Sequence, residues 1–268
     1  MFDEYLGRWK LTPDGPPIET HSSQLLPVRY RGEPAMLKVS HAVEEKLGHL
    51  LMNWWDGRGA ARVFAHDDDA ILLERAEGKR RLTEYARDGR DDEATRILCD
   101  AIAELHTPRG KPLPDLVPLT EWFRSLWPAA EVHGGLLALS ARTARDLLSN
   151  QKEIGVLHGD VHHDNVLDFG ARGWLAIDPK RILGDRAFDY ANLFCNPEDA
   201  PSVPKEKDRF LRRVEIVSDM AGIERTRLLR WILAWTGLSA AWWFEDDMPA
   251  EIDMAVGQMA ASELGYDA

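Results

Sequence analysis

The sequence predicts an α+β protein, a small strand-rich part with one helix followed by a larger, mostly helical remainder. Three observations point there. Short extended patterns broken by turn residues fill the chain up to Glu74, with one helical segment among them. Beyond Ala76, apolar residues recur at the three-or-four spacing of amphipathic helices. Inside that helical part lies one extended stretch, Leu157 to Pro179, whose short apolar runs end in polar residues.

The N-terminal elements follow in order. Gln24 to Tyr30 and Ala35 to Ser40 read as a hairpin around Arg31-Gly32-Glu33-Pro34, and strands and hairpins are expected over residues 7–40. Lys38 stands inside the second strand and can point to solvent on its polar face. Residues 42–55 read as a helix with Val43, Leu47, Leu50, Leu51 and Trp54 on its apolar face, stopped near Gly57. Ala61 to Ala65 and Ala70 to Glu74 are two further strands. The boundary falls near Ala76, giving units 1–76 and 77–268.

After it, helices are expected at Glu93–His106, Leu119–Trp127, Leu136–Asn150, Asp189–Phe194, Lys207–Ala221, Arg225–Phe244 and Ile252–Leu264. The most apolar of them, from Trp231 to Phe244, is shorter than the ~20 residues a membrane span needs. It reads as a core helix, and no membrane association is expected. The first residues carry no basic stretch followed by an apolar one, so no signal peptide is read there.

Bulk properties narrow the function. The 268 residues are 44% hydrophobic, enough for a substantial core. A net charge of −12 argues against nucleic-acid binding, which relies on Lys and Arg, and is compatible with a cationic small molecule. Cys99 and Cys195 are far apart, form no metal-ligand spacing and read as core thiols of a reduced, cytoplasmic protein. The sequence carries no signature of an oligomeric state.

Asp160, Asn165 and Asp178 stand at or just beyond short apolar runs, where a strand meets a loop. Two acids and an amide so held suit a site that positions a hydroxyl and a metal-bound phosphate. His158-Gly159-Asp160-Val161-His162-His163-Asp164-Asn165-Val166, with Ile177-Asp178-Pro179 beyond it, resembles the catalytic loop and metal-binding Asp of the bilobal protein-kinase-like fold. The form His-Gly-Asp-x-His-x-x-Asn is that of the aminoglycoside phosphotransferases. With Arg172 to Pro179, Asn53 to Val63, Leu72-Leu73-Glu74 and Leu238 to Trp242, the chain looks like their streptomycin 6-phosphotransferase and hydroxyurea-resistance kinase subfamily, from about Ser22 to Ala261.

The resemblance implies an ATP-dependent kinase that phosphorylates a hydroxyl of a small, cationic acceptor, with Mg²⁺ as cofactor. Asp160 would be the catalytic base, and Asn165 and Asp178 the metal ligands. Lys38 would clamp the α- and β-phosphates with Glu45 as its ion-pair partner, Glu44 being the alternative. Glu74 to Ala76 would be the hinge that meets the adenine edge. His158 would orient the catalytic loop, and Asp189 would support it from below. The repeated glycines of a protein-kinase nucleotide loop are absent; Ser22 and Ser23 stand there instead. His162 and His163 read as loop histidines or, alternatively, as a metal pair. For the acceptor, Glu198, Asp199, Glu245 and Asp246 are candidate carboxylates near the aromatic pair Trp242-Trp243, or else solvated turns. A kinase of hydroxyurea or another metabolite, and a non-catalytic binding protein on the same scaffold, are the alternatives. A protein kinase is disfavoured, since no Ala-Pro-Glu segment follows Asp178.

Overall fold

The computed structural model describes residues 2–20, 23–40 and 48–266. Six strands form the first sheet: β1 (Thr12–Pro13), β2 (Ile18–Glu19), β3 (Ser23–Tyr30), β4 (Glu33–Ser40), β5 (Val63–His66) and β6 (Ala70–Glu74). Every pairing in it is antiparallel, and the order is β1-β3-β4-β6-β5 with β2 on β3. Alternation along β4 sends Ala35, Leu37 and Val39 into one core with Val28 and Leu72. Lys38 lies between them and therefore on the opposite face. It is buried there, so the solvated-strand reading fails.

A short helix, Phe2–Arg8, was not expected, because seven residues are too few to display a period. Its Tyr5 joins the core formed by Val28 and Leu37. The helix Gly48–Trp55 buries Gly48, Leu51, Met52 and Trp55. That face is turned from the expected one: Trp55 is fully buried, while Trp54 is half-buried and donates its indole N–H to the Pro112 carbonyl at 2.9 Å. Its residues before Gly48 lie outside the described ones.

The remainder is helical, with a small sheet and a hairpin set into it. β7 (Val117–Pro118), β11 (Ile182–Asp185) and β8 (Ile154–Leu157) make the sheet, and β9 (Val166–Asp168) pairs with β10 (Trp174–Ala176) in the hairpin. The helices are Leu82–Arg87, Asp91–Leu105, Leu126–His133, Gly135–Ser149, Lys207–Ala221, Arg225–Glu245 and Glu251–Glu263, besides a single turn at Leu119–Trp122. The expected helix Leu119–Trp127 is thus broken by a tighter turn at Phe123–Ser125. Restarting at Leu126 puts Pro128 in a first turn, where its missing N–H costs nothing. The expected helix Asp189–Phe194 is instead two tight turns, Arg186–Tyr190 and Asn192–Cys195.

The central helix Arg225–Glu245 packs on Gly135–Ser149 and Glu251–Glu263. A Cβ at Gly237 would lie 2.3 Å from that of Ser140, so only glycine permits this approach. Helix Asp91–Leu105 is fixed to Lys207–Ala221 by Asp91, whose Oδ1 accepts from Arg209 at 2.9 Å and Arg213 at 2.7 Å. Among the described residues no helix is long and apolar enough to cross a membrane.

Candidate active site

The loop between β8 and β9 carries the polar motif. β8 leads into His158, which is fully buried and stacks on Trp55. Its Nε2 donates to the Ile177 carbonyl at 2.8 Å, and its Nδ1 accepts from the Asp160 amide at 3.2 Å. One donor and one acceptor define a neutral imidazole. Burial lowers its pKa, which favours that same form. Asp189 accepts from the amides of His158 at 2.9 Å and Gly159 at 2.7 Å, and contacts His106 Nε2 at 2.8 Å. Gly159 has φ +84°, and a Cβ on it would lie 2.4 Å from the Ile182 side chain.

These constraints fix the Asp160 carboxylate near the start of the loop. Its Oδ1 accepts from Asn192 Nδ2 at 3.0 Å, and Lys180 Nζ lies 3.6 Å from its Oδ2. Asn165 Nδ2 donates to the Asp160 carbonyl at 2.9 Å, and Ile177 N–H donates to the Asn165 carbonyl at 2.9 Å. Asn165 is therefore tied to both Asp160 and the strand end that carries Asp178. Asp178 has φ +64° and pairs with Lys38 of β4. Lys38, far off in the chain, thus meets Asp160, Asn165 and Asp178, which lie close together in sequence. Asn165 and Asp178 offer hard oxygen donors. Mg²⁺ commonly takes one or two such protein ligands and completes its shell with phosphate and water, so this donor set fits it.

Other expected residues fall as follows. Ser22, Glu45 and Glu44 lie outside the described residues. Ser23 is buried, with its Oγ 3.1 Å from that of Ser40. The Glu74 carboxylate is engaged by Arg172 and by the Arg62 amide at 3.2 Å, and Ala76 packs partly buried beside the Trp55 core. His162 Nε2 lies 3.9 Å from Asp160, whereas His163 is buried with its pKa held well below the usual value by burial and the Arg213 and Arg209 charges. Burial pushes the thiol of Cys99 up to about 12 and that of Cys195 well above its ordinary value, so neither is a ready nucleophile.

A cavity of about 720 Å³ opens beside Asp160. Its acidic lining is Glu198, Asp246, Glu251 and Asp253, and its aromatic lining Trp122, Trp235, Trp242 and Trp243. Two of the expected acceptor carboxylates do not belong to that lining. Asp199 turns away to pair with Arg87 at 2.7 Å, and Glu245 ends exposed at the C-terminus of its helix. Sequence reasoning missed Lys180, Asn192, Glu251 and Asp253. Lys180 follows the Asp178-Pro179 pair and was within reach of inspection; the others belong to no local pattern.

Comparison with known proteins fits this geometry. Residues 8–247 match the family described as aminoglycoside/hydroxyurea antibiotic resistance kinase. The chain is 53% identical to a streptomycin 3''-kinase of Klebsiella pneumoniae over 260 residues, covering 94% of this chain and 97% of that relative. It is 30% identical to a streptomycin 6-kinase of Streptomyces glaucescens, covering 99% and 89%. Among solved structures, a thermostable mutant of the aminoglycoside phosphotransferase APH(4)-Ia in ternary complex with ADP and hygromycin B superposes with a TM-score of 0.63 at 13% identity, covering 97% of each chain. At that identity the likeness speaks for the fold, which is the bilobal protein-kinase-like one.

Proposed function

The chain belongs to the aminoglycoside/hydroxyurea antibiotic resistance kinase family, and on that premise we propose that it phosphorylates streptomycin with ATP, at the 3''-hydroxyl. The 53% identity to a 3''-kinase, against 30% to a 6-kinase, favours that hydroxyl over the 6-hydroxyl of the relatives its motifs first resembled. The observation that carries the substrate class is the cavity beside Asp160, lined by four carboxylates and four tryptophans. Carboxylates attract a polycation, and aromatic faces hold its planar cationic groups. Hydroxyurea is far smaller than a cavity of about 720 Å³. A mere binding protein would have no need of Lys38, Asp160, Asn165 and Asp178 together.

In this reading Asp160 orients the acceptor hydroxyl and takes its proton as the new O–P bond forms and the bond to the β-phosphate oxygen breaks, releasing ADP. Asn192 and Lys180 hold its carboxylate through Oδ1 and Oδ2 respectively, where it borders the cavity. Lys38 exchanges its Asp178 contact for the α- and β-phosphates, with Glu45 as its further partner. Ser22 and Ser23 would contribute to covering the phosphates, and the segment from Glu74 to Ala76 would meet the adenine edge. Asn165 and Asp178 would hold Mg²⁺, which when bound would supply neutralisation of the phosphate charge. His158 and Asp189 position the loop. Residues 1–76 would be the nucleotide-binding unit and 77–268 the catalytic and acceptor unit, in a cytoplasmic enzyme where ATP is at hand.

Incubation with ATP and streptomycin, followed by phosphorus–proton correlation NMR of the product, tests the reading. Phosphate coupled at the 3'' position is expected. Coupling at the 6 position overturns the regiochemistry, and absence of turnover on any aminocyclitol overturns the substrate class.

A further inference from the structure

Four carboxylates line the acceptor cavity, and they are not alike. Glu198, Asp246 and Glu251 are exposed, and Glu251 also pairs with Lys205 at 3.0 Å. Asp253, on the helix Glu251–Glu263, is 4% exposed. Its Oδ1 is sealed from solvent and has no hydrogen-bond partner among the described residues. No Lys, Arg or His of the described residues forms an ion pair with it. Its polar neighbours Ser239 and Cys195 are neutral; their hydrogen bonding favours the charged form without offsetting burial, and the other carboxylate acting on it, Glu198, has the same sign.

A buried, unpaired carboxylate is costly to a folded chain. Burial accordingly lifts the Asp253 carboxyl to about 6. At neutral pH it is nevertheless mostly ionised, and it faces a cavity walled by Trp122, Trp235, Trp242 and Trp243. A charge short of a partner beside flat aromatic faces describes the complement of a planar cation. The opening leads to Asp160, so whatever occupies it is the acceptor.

We propose that Asp253 determines acceptor specificity by receiving a guanidinium group of the substrate, which supplies the counter-charge that the fold withholds. The inference rests on the streptomycin reading, whose acceptor carries guanidinium groups. The exposed acids at the cavity rim would draw the polycation in; Asp253 would select which face of it enters. Because the rim acids are solvated, their individual removal should matter less.

Asp253→Asn keeps the shape and deletes the charge, and two measurements on it separate selection from scaffolding. First, its KM for streptomycin should rise on the order of 100-fold, with kcat changed far less. Wild-type enzyme should show a comparable loss on a streptomycin derivative whose guanidino groups are replaced by neutral ureas, and the variant should no longer distinguish the two acceptors. Second, the variant without acceptor should melt higher than wild type. The folded pKa of about 6 stands above the ordinary 3.8, so the carboxylate destabilises the folded state increasingly as pH rises from 4 to 7. The gain in melting temperature should be absent at pH 4 and full above pH 7. Glu198 from the loop after Asn192–Cys195 and Glu251 on the same helix are present in both proteins, as are Cys195 and Ser239, so the difference belongs to Asp253. An unchanged KM, or a variant that melts lower at neutral pH, would overturn the assignment alone. Wild-type enzyme inactive on streptomycin would instead overturn the substrate reading, and this inference with it.

Discussion

Two carboxylates buried in the helical part of the molecule have opposite surroundings. Asp91 lies between Arg209 and Arg213, both almost wholly buried, and joins two helices. Asp253 forms no ion pair among the described residues and faces a cavity. Both are deep, and both sit near the start of a helix. One charge is matched by the fold and the other is left for a ligand. Matched burial marks structure; unmatched burial at an opening marks recognition. A third carboxylate, Asp160, is half-buried, held by an amide and a lysine, and borders the cavity.

The largest effect should come from that third case. On the proposed mechanism Asp160→Ala removes the group that accepts the hydroxyl proton, so turnover should fall roughly 10³-fold. The ring of His158 and the Asp189 contacts use backbone groups, and the tryptophans and other carboxylates of the cavity make no hydrogen bond to that carboxylate, so nucleotide and streptomycin binding by calorimetry should change little. Near-full turnover in the variant would break the division of labour drawn above. A loss of streptomycin binding equal to the loss of rate would move Asp160 from catalysis to recognition.

Next in size is Asp91→Ala, which leaves two buried guanidinium groups without their shared anion. Each keeps one backbone acceptor, Asn196 for Arg209 and Leu193 for Arg213, so the cost should sit near the lower end for a broken buried pair, about 3 kcal/mol. Burial and the neighbouring Arg209 already hold the Arg213 pKa down to about 9, and Asp91 opposes that shift. Urea unfolding measures the loss. The sign is what matters: removing Asp91 should destabilise, where removing Asp253 should stabilise. If both variants lost stability, the contrast between matched and unmatched charge would fail.

The same contrast explains what the sequence disclosed. His158, Asp160 and Asn165 lie within one short loop, and Asp178 on the adjoining strand end, so their pattern is visible as text. The two-fold alternation of β4 and the long periods of Lys207–Ala221 and Arg225–Glu245 were equally legible, because each is set by its own residues. The acceptor wall is not local. Trp122, Glu198, Trp242 and Asp253 come from four separated segments that only packing brings together. Asp253, between Ile252 and Met254, reads in sequence as any helix-start acid. Choosing Trp54 over Trp55 failed for a related reason: adjacent residues on a helix differ by ~100°, and tertiary contact with His158 decides which is buried. The break at Phe123 depended on where Pro128 could be tolerated, which the apolar period alone does not register.

The smallest expected effect tests the aromatic half of the wall. Trp242 lines the cavity and meets Trp122 edge-on, with ring centroids 5.6 Å apart. An edge-on pair leaves one ring face of Trp242 open to a planar cation, and such a contact contributes on the order of 1 kcal/mol when partly exposed. Trp242→Ala should therefore raise the streptomycin KM by roughly tenfold with kcat nearly unchanged. Trp242→Phe keeps a smaller aromatic face and should recover part of the loss. A steep fall in kcat would mean that the ring sets the angle at which the hydroxyl meets Asp160. An unchanged KM in both variants would leave the carboxylate to recognise the cation without aromatic help, and the hydrophobic contact of Trp242 with the helical core would then be its whole role.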